Sequence, residues 1–546
     1  MATVHNEVDT SVVPGTTHLV DLDGTLHTSH DARLKDIVLV PTPSADPEDP
    51  LNWSQRRKSL HMVCIFIYCL FVGIASAALY SVLVPISMST GLTLANLNAG
   101  TGYMFLFFGW GCVIWQPLAL QYGKRPVYLF SILATLAIQM WSPYCKTSGQ
   151  WYANKILQGF FGSPIESLCE ISVADLYFIH ERGKYMGLYA LFLLSSNILA
   201  PIFSGFIYDG MGWKWVLYWP AIGCGFGFII LFSLMEETNY DRKTIGIVET
   251  IDSSANSTRG SASANDDTEK GNGLPEPTTT SVNTGEVYKK KTYLQKLSLM
   301  DKSRPNQLLT MMWRPFTFVS LPVVVYSGFA YGCTVVWSLL SSGTSSLVLS
   351  SPPYNFKASI VGLFSVASLL GCFVGCIISG FLGDCITIRF ARRNNGIAET
   401  ENRLWIYIFP VIAYPFGFIL WGVGAAHSIH WFGLAFAAFT LSAATAATIT
   451  ICITYCIDTY PELSGEAMIT VIVIRNTLGF AITSYAITPW ILQLGVQNTF
   501  ISAAFISMAT SLAFLIMIKW GKQFREMSKL RYWRHVAQGK ALGLSH

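Results

Sequence analysis

The run His61-Met-Val-Cys-Ile-Phe-Ile-Tyr-Cys-Leu-Phe-Val-Gly-Ile-Ala-Ser-Ala-Ala-Leu-Tyr-Ser-Val-Leu-Val-Pro85 carries no Asp, Glu, Lys or Arg. About 20 apolar residues in a helix cross roughly 30 Å of hydrocarbon, and in lipid every backbone polar group must be bonded within its own helix. The run therefore reads as a transmembrane helix, and the pattern recurs. Five further spans fall near 98–120, 126–142, 151–174, 184–207 and 213–235, and six more near 315–340, 358–382, 404–424, 431–456, 466–490 and 499–519. The expected fold is an all-α polytopic membrane protein of twelve transmembrane helices in two six-helix bundles.

Composition agrees. Of 546 residues, 52% are apolar and 12% charged, against about 25% charged in a soluble domain, and the mean hydropathy is +0.43. A soluble enzyme is excluded, and a formal charge of +4 is too balanced for a nucleic-acid-binding surface. Between residues 59 and 235 there are only five acidic and seven basic side chains, so charge lies mostly in tails and loops.

Five parts follow: a disordered N-terminal tail (1–59), an N-terminal bundle (60–235), a flexible linker rich in Ser, Thr, Asn and Gly (236–313), a C-terminal bundle (314–520) and a basic tail (521–546). With both termini in the cytoplasm, the outward loops carry only Lys146, Lys214 and Lys357, while Arg56, Arg57, Lys58, Lys124, Arg125, Arg182, Lys184, Arg389, Arg392 and Arg393 all stay inside. The N-terminus shows no signal-peptide pattern, so span 1 is expected to serve as its own insertion signal. The halves also echo one another. Asp175-Leu-Tyr177 follows span 4 and Asp458-Thr-Tyr460 follows span 10, at the same topological place.

Two motifs borrowed from soluble enzymes are set aside. Asp21-Leu-Asp23-Gly-Thr25 has the pattern of haloacid dehalogenase-type phosphatases, but too few residues separate it from span 1 for an α/β domain. Gly223-Cys-Gly225-Phe-Gly227 lies inside span 6 and reads as a helix-packing surface. The pairs Cys372/Cys376 and Cys452/Cys456 share helix faces without His or carboxylate, so no metal site is expected.

Span 4 carries the chemistry: Lys155-Ile-Leu-Gln158-Gly159-Phe-Phe-Gly162-Ser-Pro164-Ile-Glu166-Ser-Leu-Cys-Glu170. At about 100° per residue, Lys155, Glu166 and Glu170 fall on one face. Charges at such depth need a watered cavity or a partner. Glu166 either accepts a proton or cationic substrate, or serves a structural pair; Glu170 lines the path or is interfacial. Pro164 is expected to bend the helix and free a carbonyl toward the cavity. Arg475, followed by Asn476 in span 11, either pairs with a carboxylate across the cavity or meets substrate. Tyr326, Tyr331 and Trp337 in span 7 either hold a cation or are plain packing. The basic run from Lys519 to Arg534 is expected on the anionic inner leaflet.

These residues resemble the major facilitator superfamily, and within it the fungal twelve-span drug:proton antiporter group. The resemblance rests on Asp49-Pro50-Leu51-Asn52-Trp53-Ser54 before span 1, Glu236-Glu237-Thr238 and Tyr240 after span 6, and Lys155-x-x-Gln158-Gly159, usually written with Arg. It rests also on a Gly/Pro motif in span 5, here Gly187, Ser196, Ala200-Pro201 and Ser204-Gly205. It implies alternating access, proton coupling with the proton gradient as energy source and no cofactor. It further implies a lipid bilayer and a small-molecule substrate as partners, a functional monomer and a plasma-membrane location. In the loop between spans 2 and 3 the family places an Asp; here Gln121-Tyr-Gly123-Lys124-Arg125 lacks it, whereas Gly380-Phe-Leu-Gly383-Asp384 keeps it in the second half. An asymmetric gate is expected, with Asp384 accepting from the start of span 5. The leading function is export of small amphipathic or cationic compounds such as drugs or fungal secondary metabolites. Similar sequences include the polyamine and histidinol permease group, which makes proton-driven uptake of polyamines the alternative; a non-transporting sensor is a third, minor reading.

Overall fold

A computed structural model describes residues 13–18, 46–177, 179–240, 293–298, 307–393, 397–485 and 487–541. Among these, eleven helices are long and apolar enough to cross a membrane. The twelfth crossing is span 4, which is broken: Ser148–Gly162 ends where Pro164–Leu176 begins, so neither piece alone reaches full length. Spans 1 to 3 are Gln55–Ala77, Leu94–Tyr122 and Lys124–Trp141. Spans 5 and 6 are Ile179–Met211 and Trp213–Leu234.

In the second half, span 7 is Pro322–Ser350 and span 8 begins as Ala358–Ile377, continuing through a π-helical turn, Ile378–Leu382. Spans 9 to 11 are Ile408–Ala426, Trp431–Thr459 and Ser464–Tyr485. A kink at Gly495 (φ 73°) lies within Ile487–Leu512 and starts span 12, which runs on as Phe514–Ala541 into what the sequence reads as a tail. One two-stranded ribbon interrupts the all-helical pattern: β1 (Thr16–His18) pairs antiparallel with β2 (Ile397–Glu399).

Each half has its own apolar core. Tyr68, Tyr128, Leu168 and Tyr177 are fully buried in the first, and Tyr407, Cys452, Tyr455 and Tyr460 in the second. The halves touch along two seams, span 5 against span 8 and span 2 against span 11. Cys112 and Val113 of span 2 pack there on Ile469 and Ile472 of span 11. Small residues set the distance, because without a hydrophobic force between helices in lipid, close backbone approach supplies the contact. A Cβ at Gly205 would strike the Ala358 carbonyl, and one at Gly362 would lie 2.5 Å from that of Pro201. In span 6, Gly223 and Gly227 receive the Phe71 ring, as a packing surface should.

The internal echo has a physical counterpart. Asp175, in the last turn of span 4, is ion-paired with Lys124 at the start of span 3, both buried. Asp458, in the last turn of span 10, pairs with Arg403 just before span 9 at 3.0 Å. Each half thus ties the end of its fourth helix to the start of its third.

The tails are more ordered than their polarity suggests. Asp46 to Trp53 fold against the first half: Arg57 bridges Glu48 and Glu236, and the Tyr240 hydroxyl donates to Asp46 at 3.1 Å. In the region read as a linker, Tyr293–Lys296 and Leu308–Thr317 are helical. Arg525 is not on a lipid-facing surface; it is fully buried, held by both oxygens of Glu401 at 2.8 and 2.6 Å. Asp21 and Asp23 lie outside the described residues.

Candidate functional site

The break in span 4 builds the site. Proline has no N–H, so Pro164 leaves the Phe160 carbonyl without its helical partner. That carbonyl does not open toward a cavity, as expected from sequence, because the Trp115 indole N–H of span 2 donates to it at 2.9 Å. A new helix starts at Pro164, with the Glu166 N–H donating to the Ser163 carbonyl at 3.0 Å. Glu166 therefore sits in the first turn of a helix, where unpaired N–H groups and the macrodipole favour a carboxylate.

From this turn Glu166 reaches the other half of the molecule. Its carboxylate is ion-paired with Arg475 of span 11 and accepts from the Asn476 side-chain amide at 2.7 Å. Arg475 Nε donates to the Asn476 side-chain oxygen at 3.0 Å, which fixes the amide's orientation. The guanidinium lies over the Tyr331 ring of span 7, 4.6 Å from its centre. Neighbouring glycines make the room: a Cβ at Gly109 would come within 2.8 Å of Asn476, and one at Gly332 within 3.2 Å of the Arg475 backbone. Spans 2, 4, 7 and 11 converge on one charge pair whose side chains are only 7% and 11% exposed.

Glu170 lies one turn further along the same helix, half-buried, about 6 Å from Glu166 between Cβ atoms by helical spacing. Among the described residues it makes no hydrogen bond or ion pair. The arrangement combines an ion-paired carboxylate with a second carboxyl group that has no ion pair among the described residues.

The other sequence candidates lie elsewhere. Lys155 is buried on the far side of the break, its ammonium donating to Gln158 at 2.6 Å and lying 4.8 Å from the Trp151 ring centre. Gln158 in turn donates to the Ala75 carbonyl of span 1 at 3.0 Å. The structure thus does not bring Lys155 to Glu166. Tyr326 packs on Tyr455 and Trp337 on Phe418 inside the second half; both serve as core. Of the three aromatics only Tyr331 reaches the charge pair. In span 5, Pro201 and Gly205 form the seam with span 8, while a Cβ at Gly187 would meet open space.

The loop between spans 2 and 3 is met by an acid from elsewhere in the chain. The acid missing there is supplied from after span 6: Glu237 accepts the backbone N–H groups of Lys124 and Arg125, both at 3.0 Å, capping span 3. Burial pushes the Glu237 carboxyl above the ordinary range against the opposing pull of these donors. Gly123 permits the turn, since its φ of 122° is closed to most residues. The Arg125 guanidinium donates to the Phe232 carbonyl at 2.7 Å and to that of Leu297. Asp384 falls on the first turn of the helix Gly383–Arg393, but its side chain lies outside the described residues, as do the side chains of residues 179–184 at the start of span 5.

Sequence reasoning missed the capping role of Glu237, the part played by Trp115 and the ion pair of Arg314 with Glu466 at 2.9 Å, which holds the helix before span 7 to span 11. A lone charge beside an apolar run, asking for a partner, is the only signal for the last.

Comparison with known proteins bears on this geometry. Residues 62–398 match the family model described as Major Facilitator Superfamily. An uncharacterized MFS-type transporter of Schizosaccharomyces pombe is 30% identical, covering 95% of this chain and 94% of its own length. Protein HOL1 of Saccharomyces cerevisiae is 26% identical over 92% of each chain. MFS transporter fsa7 of a Fusarium species is 23% identical over 80% of this chain and 78% of its own. With two six-helix halves meeting at a buried charge pair, the chain belongs to the Major Facilitator Superfamily: it is a multi-pass membrane transporter of small molecules, not an enzyme.

Proposed function

We propose that this transporter is proton-coupled and moves organic cations by alternating access, with Glu166 as the residue that both proton and substrate address. The observation that carries the reading is the Glu166–Arg475 pair, because it joins the two halves. Opening a path between them separates Arg475 from Glu166, and leaving either charge buried alone costs about 3–5 kcal/mol. A proton on Glu166, or a cationic substrate in place of Arg475, removes the part of that cost that falls on Glu166. The charge pair then acts as a latch that either ligand releases, and Tyr331 offers its ring to the displaced cation.

The favoured substrates are small amphipathic or cationic organic compounds, exported at the plasma membrane in exchange for protons, with both termini in the cytoplasm. This matches the resemblance to fungal twelve-span drug:proton antiporters. Glu170 favours a second reading. A second carboxylate one turn away suits a substrate with two separated positive charges, so proton-driven uptake of a polyamine stands beside export. The test is flux of labelled spermidine inward and of ethidium outward in cells lacking their own carriers, with and without an imposed proton gradient. Gradient-dependent accumulation of spermidine supports uptake, gradient-dependent loss of ethidium supports export, and gradient-independent flux of both overturns proton coupling.

A further inference from the structure

The buried Arg525 is the starting point. It is fully enclosed, and a guanidinium has five N–H donors that burial obliges to find acceptors. Glu401 takes Nε and Nη2. Among the described residues, Nη1 donates only to the N-terminal segment, to the Pro14 carbonyl at 2.7 Å and the Thr16 hydroxyl at 3.2 Å.

The segment fits a notch made by three parts of the second half. The end of span 10 supplies Thr459, the loop before span 9 supplies Thr400 and Glu401, and the helix continuing span 12 supplies Arg525. Gly15 enters the notch with φ +80°, and a Cβ there would lie 3.1 Å from the Thr459 backbone and 3.2 Å from both Thr400 and Arg525. Only glycine meets both the conformation and the space. The floor is prepared as well. A Cβ at Gly521 would lie 2.7 Å from a Glu401 carboxylate oxygen, so a glycine there lets the acid reach Arg525. Beyond the notch, β1 adds to β2, with Thr16, Thr17 and His18 opposite Glu399, Ala398 and Ile397, and Lys522 braces Glu399 from the helix at 2.8 Å.

We propose that this notch is a peptide-docking site whose occupant is the chain's own N-terminal segment Val13–His18, recognised through Pro14-Gly15-Thr16. Glu401 already neutralises Arg525, so the site selects an uncharged peptide with a glycine in the left-handed conformation at its second position. A two-stranded ribbon is marginal in water by itself, so the Arg525 contacts and the Gly15 fit carry the specificity. The next anchor of the same chain, Asp46 to Trp53, belongs to the first half. The 27 residues between His18 and Asp46 link the two anchors covalently, which makes docking an intramolecular event. Weak intrinsic affinity is therefore enough to keep the segment bound, and it remains a ligand that can be competed away.

The test uses the full-length protein carrying Thr17→Cys and Ala398→Cys, an N-terminal tag and a protease site between residues 19 and 45. After mild oxidation and cleavage, docking in cis keeps the tag on the transporter until a reductant is added. Adding Gly15→Val should lower the retained fraction at least fivefold, and this change lies outside every span, so membrane insertion serves as its control. An excess of free peptide of residues 8–22 during oxidation should lower retention as well. Retention no greater than with Thr17→Cys alone, retention unchanged by Gly15→Val, or cross-linked dimers in place of retained tag would each overturn the proposal.

Discussion

Glu166 and Arg475, 309 positions apart in the chain, form an ion pair across the interface between the two halves, with Asn476 bonded to both. Neither residue has another oppositely charged partner among the described residues, so each depends on the other for its burial. Replacing Glu166 with Gln keeps the Asn476 contact but leaves Arg475 without a counter-charge. We expect a folded protein that reaches the membrane with coupled transport reduced at least tenfold, checked by flux normalised to surface protein.

Arg475→Lys tests geometry against charge. The guanidinium bonds Glu166 and Asn476 together while stacking on Tyr331, and an ammonium cannot do all three. Transport should fall severalfold while Glu166 stays paired. Exchanging the two residues, Glu166→Arg with Arg475→Glu, should recover part of the thermal stability lost by either single change, a coupling read from a double-mutant cycle.

Glu170→Gln should leave stability and the Glu166–Arg475 pair unchanged, because Glu170 bonds nothing among the described residues. Its effect should fall on substrate choice. Competition by spermidine should weaken severalfold relative to competition by a monovalent cation of similar size, measured as the ratio of inhibition constants.

Glu237→Ala removes the acceptor for two N–H groups at the start of span 3. An unsatisfied buried donor costs about 1–3 kcal/mol, so the detergent-solubilised protein should melt several degrees lower. An aspartate at this position is one methylene too short to reach both donors, and Glu237→Asp should recover only part of the loss.

Gly205→Val places side-chain atoms where the Ala358 backbone lies. The seam between spans 5 and 8 must then part, and transport should be lost with surface expression largely kept. Gly187→Val, which meets open space, should be tolerated.

The twelve crossings are legible because a charge-free run of sufficient length has few other uses. Glu166 and Arg475 stand out for the same reason, each being a charge deep within a span. Their pairing is only one of two alternatives in the sequence, since a contact between spans 4 and 11 depends on how two bundles meet. The three-residue face drawn through Lys155, Glu166 and Glu170 assumes one continuous helix. Pro164 divides it, and Lys155 belongs to the packing of spans 1 and 4. Tyr326 and Trp337 show the limit of reading aromatics: only tertiary position separates them from Tyr331. The docking of Val13–His18 gives no local signal, because its polar residues read as a solvated tail and its partners lie hundreds of positions away.

The central claim is that Glu166 links the proton gradient to substrate movement. It is tested most directly by initial rates of spermidine uptake and ethidium efflux at several imposed proton gradients, for wild type and Glu166→Gln at matched surface levels. Wild-type flux of at least one of the two should rise severalfold with the gradient, and the variant should show no gradient dependence. An equal dependence in the variant would contradict the account and place the coupling proton elsewhere.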